Sequence, residues 1–372
     1  MKFAQRRSQI DSSGIRKVFD LAASLKNPCN LSIGLPDYDV PDVVKDAAID
    51  AIRAGHNRYT VTAGLPSLRG RIISMYHERG QKVDDAIITS GTSGGLFEVF
   101  LALLDPGDEL MFTDPYFVMY KHLSRFIGAV PRYIDTYPDF RLRREALEAA
   151  WSPKCKLLVV NSPNNPTGVV YTREELRLAA DFAEEKGLVV LSDEIYEAFN
   201  FDGEFASIAD YVDPGRLVII SGLSKSVAMT GWRVGWAAGP SALIKALSEI
   251  QQYSFVCAPS FAQHAAFPGL DFDMTEKLAL FKQRRDLVAD GLVAAGYEVE
   301  RSGGAFYIFP KAPWGSGSEF VKKCIERELL VVPGNIFSER DTHFRISFAA
   351  STEQLERGLS ILAELKAEGP AA

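Results

Sequence analysis

Lys156-Leu157-Leu158-Val159-Val160-Asn161 is a short apolar run, and Ser162-Pro163-Asn164-Asn165-Pro166-Thr167-Gly168 follows it as a turn by composition. A helix then opens with a capping box from Thr172 to Glu175 and closes at Gly187. Leu188-Val189-Val190-Leu191 is a second apolar run, ending at Ser192-Asp193-Glu194-Ile195-Tyr196. Strand, helix and strand in this order make a crossover unit, which implies parallel strands. Both runs are continuously apolar and not alternating, so the sheet they enter is covered on both faces.

The same grammar extends outward. Ala86-Ile87-Ile88-Thr89 reads as a strand, followed by Ser90-Gly91-Thr92-Ser93 and a helix carrying Leu96, Val99, Phe100 and Leu103. Glu109-Leu110-Met111-Phe112-Thr113 is another strand, ending at Asp114-Pro115-Tyr116-Phe117. Leu217-Val218-Ile219-Ile220 is the last, ending at the loop of Lys225. Upstream, a helix with Val43, Ala47, Ala48, Ala51 and Ile52 on one face ends at Gly55, before an irregular loop holding Tyr59. Past about residue 270, helical patterns alternate with short strands at Ala305–Phe309 and His343–Phe348, then a last helix capped from Ser351 to Gln354. The expectation is an α/β fold with two domains. A large one spans 34–269, and a smaller α+β one is made of 1–33 and 270–372.

In a parallel sheet, ligands sit outside the carboxyl ends of the strands. Five polar stretches fall there. Lys225 and Arg233 put an amine and a second fixed cation among small residues; a lysine amine can attack a carbonyl, although most lysines are solvated. Ser90-Gly91-Thr92-Ser93 is either an anion site at a helix start or a plain cap. Asp193 wants a cationic or donor partner, or else caps the next helix. Asn165 suits a turn, and Tyr196 suits either a site or a core. Arg345 lies in an otherwise apolar strand, where a guanidinium holds a carboxylate in a two-bond fork or makes a structural salt bridge. Tyr38, Tyr253 and Phe255 are candidates for shaping a side-chain pocket.

The chain has 372 residues, 47% hydrophobic and 24% charged, with net charge −7. That composition is ordinary for a globular protein and argues against a broad nucleic-acid surface. Neither the four cysteines nor the five histidines have metal-ligand spacing. The N-terminus lacks the apolar core of a signal peptide, and no run approaches the length of a membrane helix, so a cytoplasmic location is expected.

Taken together, four stretches resemble the fold-type I, class I/II aminotransferases. They are Asn161 to Gly168, Ser192 to Tyr196, Ser224-Lys225-Ser226-Val227-Ala228-Met229-Thr230-Gly231-Trp232-Arg233-Val234-Gly235, and Phe344-Arg345-Ile346-Ser347-Phe348-Ala349. Their order and spacing match over nearly the whole chain. The resemblance implies a mostly parallel sheet of the seven-stranded type and pyridoxal phosphate as cofactor. It also implies transfer of an amino group from an L-amino acid to a 2-oxo acid, in a homodimer, by a ping-pong route.

By the same resemblance, Lys225 would carry the cofactor and Asp193 would pair with its ring nitrogen. Tyr196 and Asn165 would reach its phenolic oxygen, and Phe117 would stack on its ring. Gly91, Thr92, Ser93, Ser224 and Arg233 would hold the phosphate, with Tyr59 reaching across from the second subunit. Arg345, Asn165 and Gly34 would bind the substrate carboxylate. Two positions depart from relatives: Gly222 stands where many have serine, and Ser93 where one aspartate-using branch has lysine. A carbon–sulfur lyase of the same fold is the alternative enzyme. An aminotransferase-like regulatory module is a further one, which the absence of a basic winged-helix segment disfavours.

Overall fold

A computed structural model of the protein describes residues 1–10 and 25–369. The part of the 1–33 assignment that covers residues 11–24 lies outside the described residues. At the centre is a seven-stranded sheet. Its strands are β1 (Asp85–Ser90), β2 (Glu109–Asp114), β3 (Val130–Asp135), β4 (Cys155–Asn161), β5 (Val189–Asp193), β6 (Leu217–Gly222) and β7 (Val234–Gly239). The spatial order is β1-β7-β6-β5-β4-β2-β3. β7 runs antiparallel to both of its neighbours, and the other pairings are parallel. One apolar core lies on each face of this sheet, as the continuous apolar strands require.

Two of these strands were not evident in the sequence. β3 contains Pro131 and Arg132 and is half-exposed. It is an edge strand, where a missing N–H and a charged side chain are tolerated. β7, Val-Gly-Trp-Ala-Ala-Gly, is wholly buried, yet its small residues give no apolar run. The glycines have a packing reason: a Cβ on Gly235 would lie 2.7 Å from the backbone of Gly91 and Thr92.

Four helices matter for the site. α1 is Asp42–Arg53, α2 is Gly91–Leu103, α3 is Val118–Ile127 and α4 is Arg173–Lys186. Both halves of the capping box form at the start of α4, between Thr172 and Glu175. In α1 the buried stripe is Val44, Ala48 and Ala51. Val43 and Ile52, expected on that stripe, are 56% and 45% exposed. At about 100° per residue they flank the stripe and do not join it.

A further core joins Cys29 and Leu31 to residues between Phe281 and Leu365, with Tyr196 and Phe199 packed into it. Its three-stranded sheet contains β8 (Tyr307–Ile308), β9 (Val332–Pro333) and β10 (Phe344–Ser347), with β10 in the middle. The strand at Cys29–Asn30 pairs in parallel with Leu329–Leu330, which brings residues 31–34 beside β10. Among the described residues, no helix is long and apolar enough to cross a membrane.

Candidate active site

The ends of β1, β2, β4, β5 and β6 open on one cavity of about 600 Å³. Thr92, Ser93, Phe117, Asn165, Asp193 and Tyr196 line it. So do Ser224, Lys225, Arg233, Gly34 and Arg345. Gly91 sits behind the wall against Arg233, and Tyr59 is 82% exposed on the surface.

Lys225 occupies the middle of this arrangement. Its Nζ donates to the carbonyl of Gly34 at 2.8 Å. Its loop is pinned by the Tyr38 hydroxyl, which donates to the carbonyls of Lys225 and Ser226 at 3.0 and 2.8 Å. Burial lowers the amine's pKa to about 8, helped by repulsion from Arg345 and Arg233 and opposed by Asp193. The amine is therefore far nearer to a neutral nucleophile than an exposed lysine is.

Asp193 ends β5, only 3% exposed. Tyr120, on α3, donates its hydroxyl to Oδ2 at 2.5 Å, and the N–H of Ile195 reaches Oδ1 at 3.4 Å. Burial raises the carboxyl's pKa to about 6, and the Tyr120 bond holds it back from going higher. Asn161, paired with Asp193 across β4 and β5, donates to the Asp193 carbonyl at 3.0 Å. Its Oδ1 accepts from the N–H of Asn165 at 3.0 Å, which fixes the turn that carries Asn165.

At the opposite wall α2 begins, with the free N–H groups of its first turn at Gly91, Thr92 and Ser93. Arg233 adopts a left-handed φ of 57° and donates to the carbonyls of Thr230 and Ser90, at 2.8 and 3.0 Å. Gly91 has a φ of 65°, and a Cβ there would collide with the guanidinium of Arg233. Gly222 pairs with Gly235 across β6 and β7, and a Cβ on Gly222 would meet Gly235 Cα at 2.9 Å and Val234 O at 3.0 Å. A side chain at Gly222 would therefore press on the backbone of β7.

The third wall comes from the smaller core. Arg345, on β10, is 1% exposed. Its Nη1 donates to Asn165 Oδ1 and its Nη2 to the carbonyl of Ser32, both at 2.9 Å. Tyr307 and Phe337 cover the two faces of the guanidinium, 4.3 and 4.5 Å from their ring centres. Among the described residues it has no carboxylate partner, and its buried Nε has no acceptor. A buried guanidinium with an unused donor beside a cavity calls for an anion.

Sequence reasoning missed Tyr120, Asn161, Tyr307 and the Ser32 carbonyl. Tyr120 sits in an amphipathic helix and Tyr307 in an apolar strand, where tyrosines normally pack, so neither gave a signal. Three pocket candidates are corrected. Tyr38 supports the Lys225 loop from outside the cavity, Tyr253 is 92% exposed at its helix end, and Phe255 packs edge-on to Phe97, so none of them lines the cavity.

The donor set fits pyridoxal phosphate on three counts. There is an activated amine at Lys225, a buried carboxylate at Asp193 suited to a protonated ring nitrogen, and a side-chain-free cradle at Gly91 between a helix start and Arg233. Comparison with known proteins agrees. The family model for aminotransferase class I and II matches residues 26–362. The aspartate/prephenate aminotransferase of Thermus thermophilus is 37% identical, covering 90% of each chain. The aspartate aminotransferase of Geobacillus stearothermophilus is 35% identical, covering 96% of each. The solved structure of the Thermus thermophilus aspartate aminotransferase with maleate superposes with a TM-score of 0.94 at 34% identity, over 98% of this chain and 99% of that one.

Proposed function

The chain belongs to the class I and II aminotransferases, and from that premise we propose how its own residues divide the work. The enzyme is a pyridoxal-phosphate-dependent transaminase that moves an amino group from an amino acid to a 2-oxo acid. When bound, the cofactor supplies the electron sink that makes the substrate Cα proton acidic. Lys225 would hold the cofactor at rest, and its amine, when free, would carry the proton away from the substrate Cα. Asp193 would keep the ring nitrogen protonated, and Tyr196 and Asn165 would hold the phenolic oxygen. Phe117 would cover the ring. The first turn of α2, Ser224 and Arg233 would bind the phosphate. Arg345, Asn165 and the backbone at Gly34 orient the substrate carboxylate, so that the Cα–H bond faces Lys225.

The observation that carries this division is the unpaired Nε of Arg345, buried in the cavity that also holds Lys225. Arg345→Lys replaces a planar fork by a single ammonium. Half-saturation should rise about tenfold or more for the amino donor and the oxo-acid acceptor alike, because both present the same carboxylate. Unchanged half-saturation for both would return Arg345 to a packing role.

We also propose that the working unit is a homodimer in the cytoplasm. Tyr59 and Val61 are exposed in their loop, and so are Val43, Ile49 and Ile52 on the helix before it, which suits a surface that a second copy covers. All four cysteines are unpaired, which suits a reducing compartment. In a two-fold dimer each chain lends its Tyr59 to its partner's phosphate. Lys225→Ala dimers should be dead, and Tyr59→Ala dimers should hold cofactor poorly. A mixed dimer gathers both defects in one pocket and leaves the other whole. Co-refolded mixtures should recover activity above either parent, toward half the wild-type value. Verified mixed dimers without that gain would remove Tyr59 from the neighbouring site. The separate core around Cys29, Leu31 and residues 281–365 supports dividing the chain into 34–269 and 1–33 with 270–372.

A further inference from the structure

Tyr307 is 1% exposed, on β8, and touches three parts of the site at once. Its ring lies under Arg345, 4.3 Å from the guanidinium carbon. Its hydroxyl is 2.9 Å from the hydroxyl of Tyr196. The same hydroxyl packs so closely on Gly34 that a Cβ there would collide with it, and the Gly34 carbonyl holds Lys225.

Either hydroxyl of the tyrosine pair can donate to the other, and each has one proton. A Tyr196 that gives its proton to the cofactor's phenolic oxygen must therefore accept from Tyr307. This sets a direction, from Tyr307 to Tyr196 to the cofactor. We propose that Tyr307 is a positioning residue that links the carboxylate site at Arg345 to the hydrogen bond Tyr196 makes with the cofactor. This rests on the assignment of Lys225 and Tyr196 above.

The physics follows from the stacking. Burial raises the pKa of the Tyr307 hydroxyl, and the Arg345 cation pulls it back, making it a better donor. A carboxylate on Arg345 cancels part of that pull. Tyr307 then donates less strongly, Tyr196 is a weaker donor in turn, and the phenolic oxygen is held less well as an anion. Asp193 and Lys225 are the other charged groups near Tyr196, and neither hydrogen-bonds to Tyr307.

The visible band of the lysine-bound cofactor reads this directly, because its pKa rises when the phenolic oxygen loses hydrogen bonding. The test titrates that band against pH, with and without 3-phenylpropionate, a carboxylate that has no amine to transfer. In the wild type the ligand should raise the pKa. Tyr307→Phe should start about half a unit or more above wild type, and its ligand-induced rise should be less than half as large. Phe337→Leu uncovers the other face of Arg345 without touching a hydroxyl. It should weaken 3-phenylpropionate binding and leave the unliganded pKa in place. A Tyr307→Phe protein with the wild-type pKa and the wild-type rise would overturn the proposal. So would a Phe337→Leu protein whose unliganded pKa moves as far as that of Tyr307→Phe. A wild-type protein with no visible band would strike down the Lys225 assignment, and this link with it.

Discussion

Borohydride reduction of the cofactor-loaded protein will fix the cofactor on Lys225 and on no other lysine, and Lys225→Ala will lower turnover by about 10⁴-fold. Both results follow from one amine doing two jobs. Lys225 must be neutral to attack the cofactor's carbonyl, and neutral again to take a proton from substrate Cα. With its pKa lowered to about 8 by burial and by Arg345 and Arg233, roughly a tenth of it is free base at pH 7, against about one part in three thousand for an ordinary lysine. The sign fixes a pH dependence. Covalent capture of cofactor by the apoprotein should speed up with rising pH and level off above about 8. A capture rate that goes on climbing to pH 10 would mean an unperturbed amine, and an adduct mapped to another lysine would end the assignment.

Asp193→Asn should lower turnover by about 10³-fold while cofactor affinity changes far less. The amide fills the same space and can still hydrogen-bond. It cannot hold a positive ring nitrogen by charge, and that charge matters most when electrons from Cα flow into the ring. Asp193 suits the task because it is poised: burial lifts its pKa to about 6, and the Tyr120 bond keeps it mostly ionised at neutral pH. Stopped-flow turnover and cofactor titration on the same sample separate the two effects. If turnover stays within a few-fold of wild type, Asp193 is a strand-end anchor and no more.

What was legible in the sequence depended on how chemistry and folding share residues. β1, β2, β4, β5 and β6 were readable because a strand buried on both faces must be continuously apolar. β7 was hidden because its task is close approach, which glycine and alanine meet without leaving an apolar run. The polar residues at strand ends stood out against apolar neighbours, and four motifs in order tied them to one family. Tyr120 and Tyr307 stayed invisible for the opposite reason. Each is a large side chain in a place where large side chains pack, and only the third dimension reveals a hydroxyl aimed at Asp193 or Tyr196. Val43 and Ile52 were misread because an apolar residue flanking a buried stripe cannot be told by its type from one on it.

The glycine contact where β6, β7 and the start of α2 meet has a consequence for how this protein can change. Gly91 and Gly235 touch a fixed arginine and the backbone of α2 where a side chain would begin. Mutation can offer nothing there but larger residues, which would displace the Arg233 guanidinium or push β7 away from α2. The cup for the cofactor's phosphate is therefore closed to gradual variation. The wall that faces the substrate is built differently: beside the fixed Gly34, Tyr307 and Arg345 it carries Ile33 and Leu35, on a loop next to the short strands of a separate core. A lineage, or a mutant library, can explore new amino donors along that wall one side chain at a time while the cofactor end stays as it is.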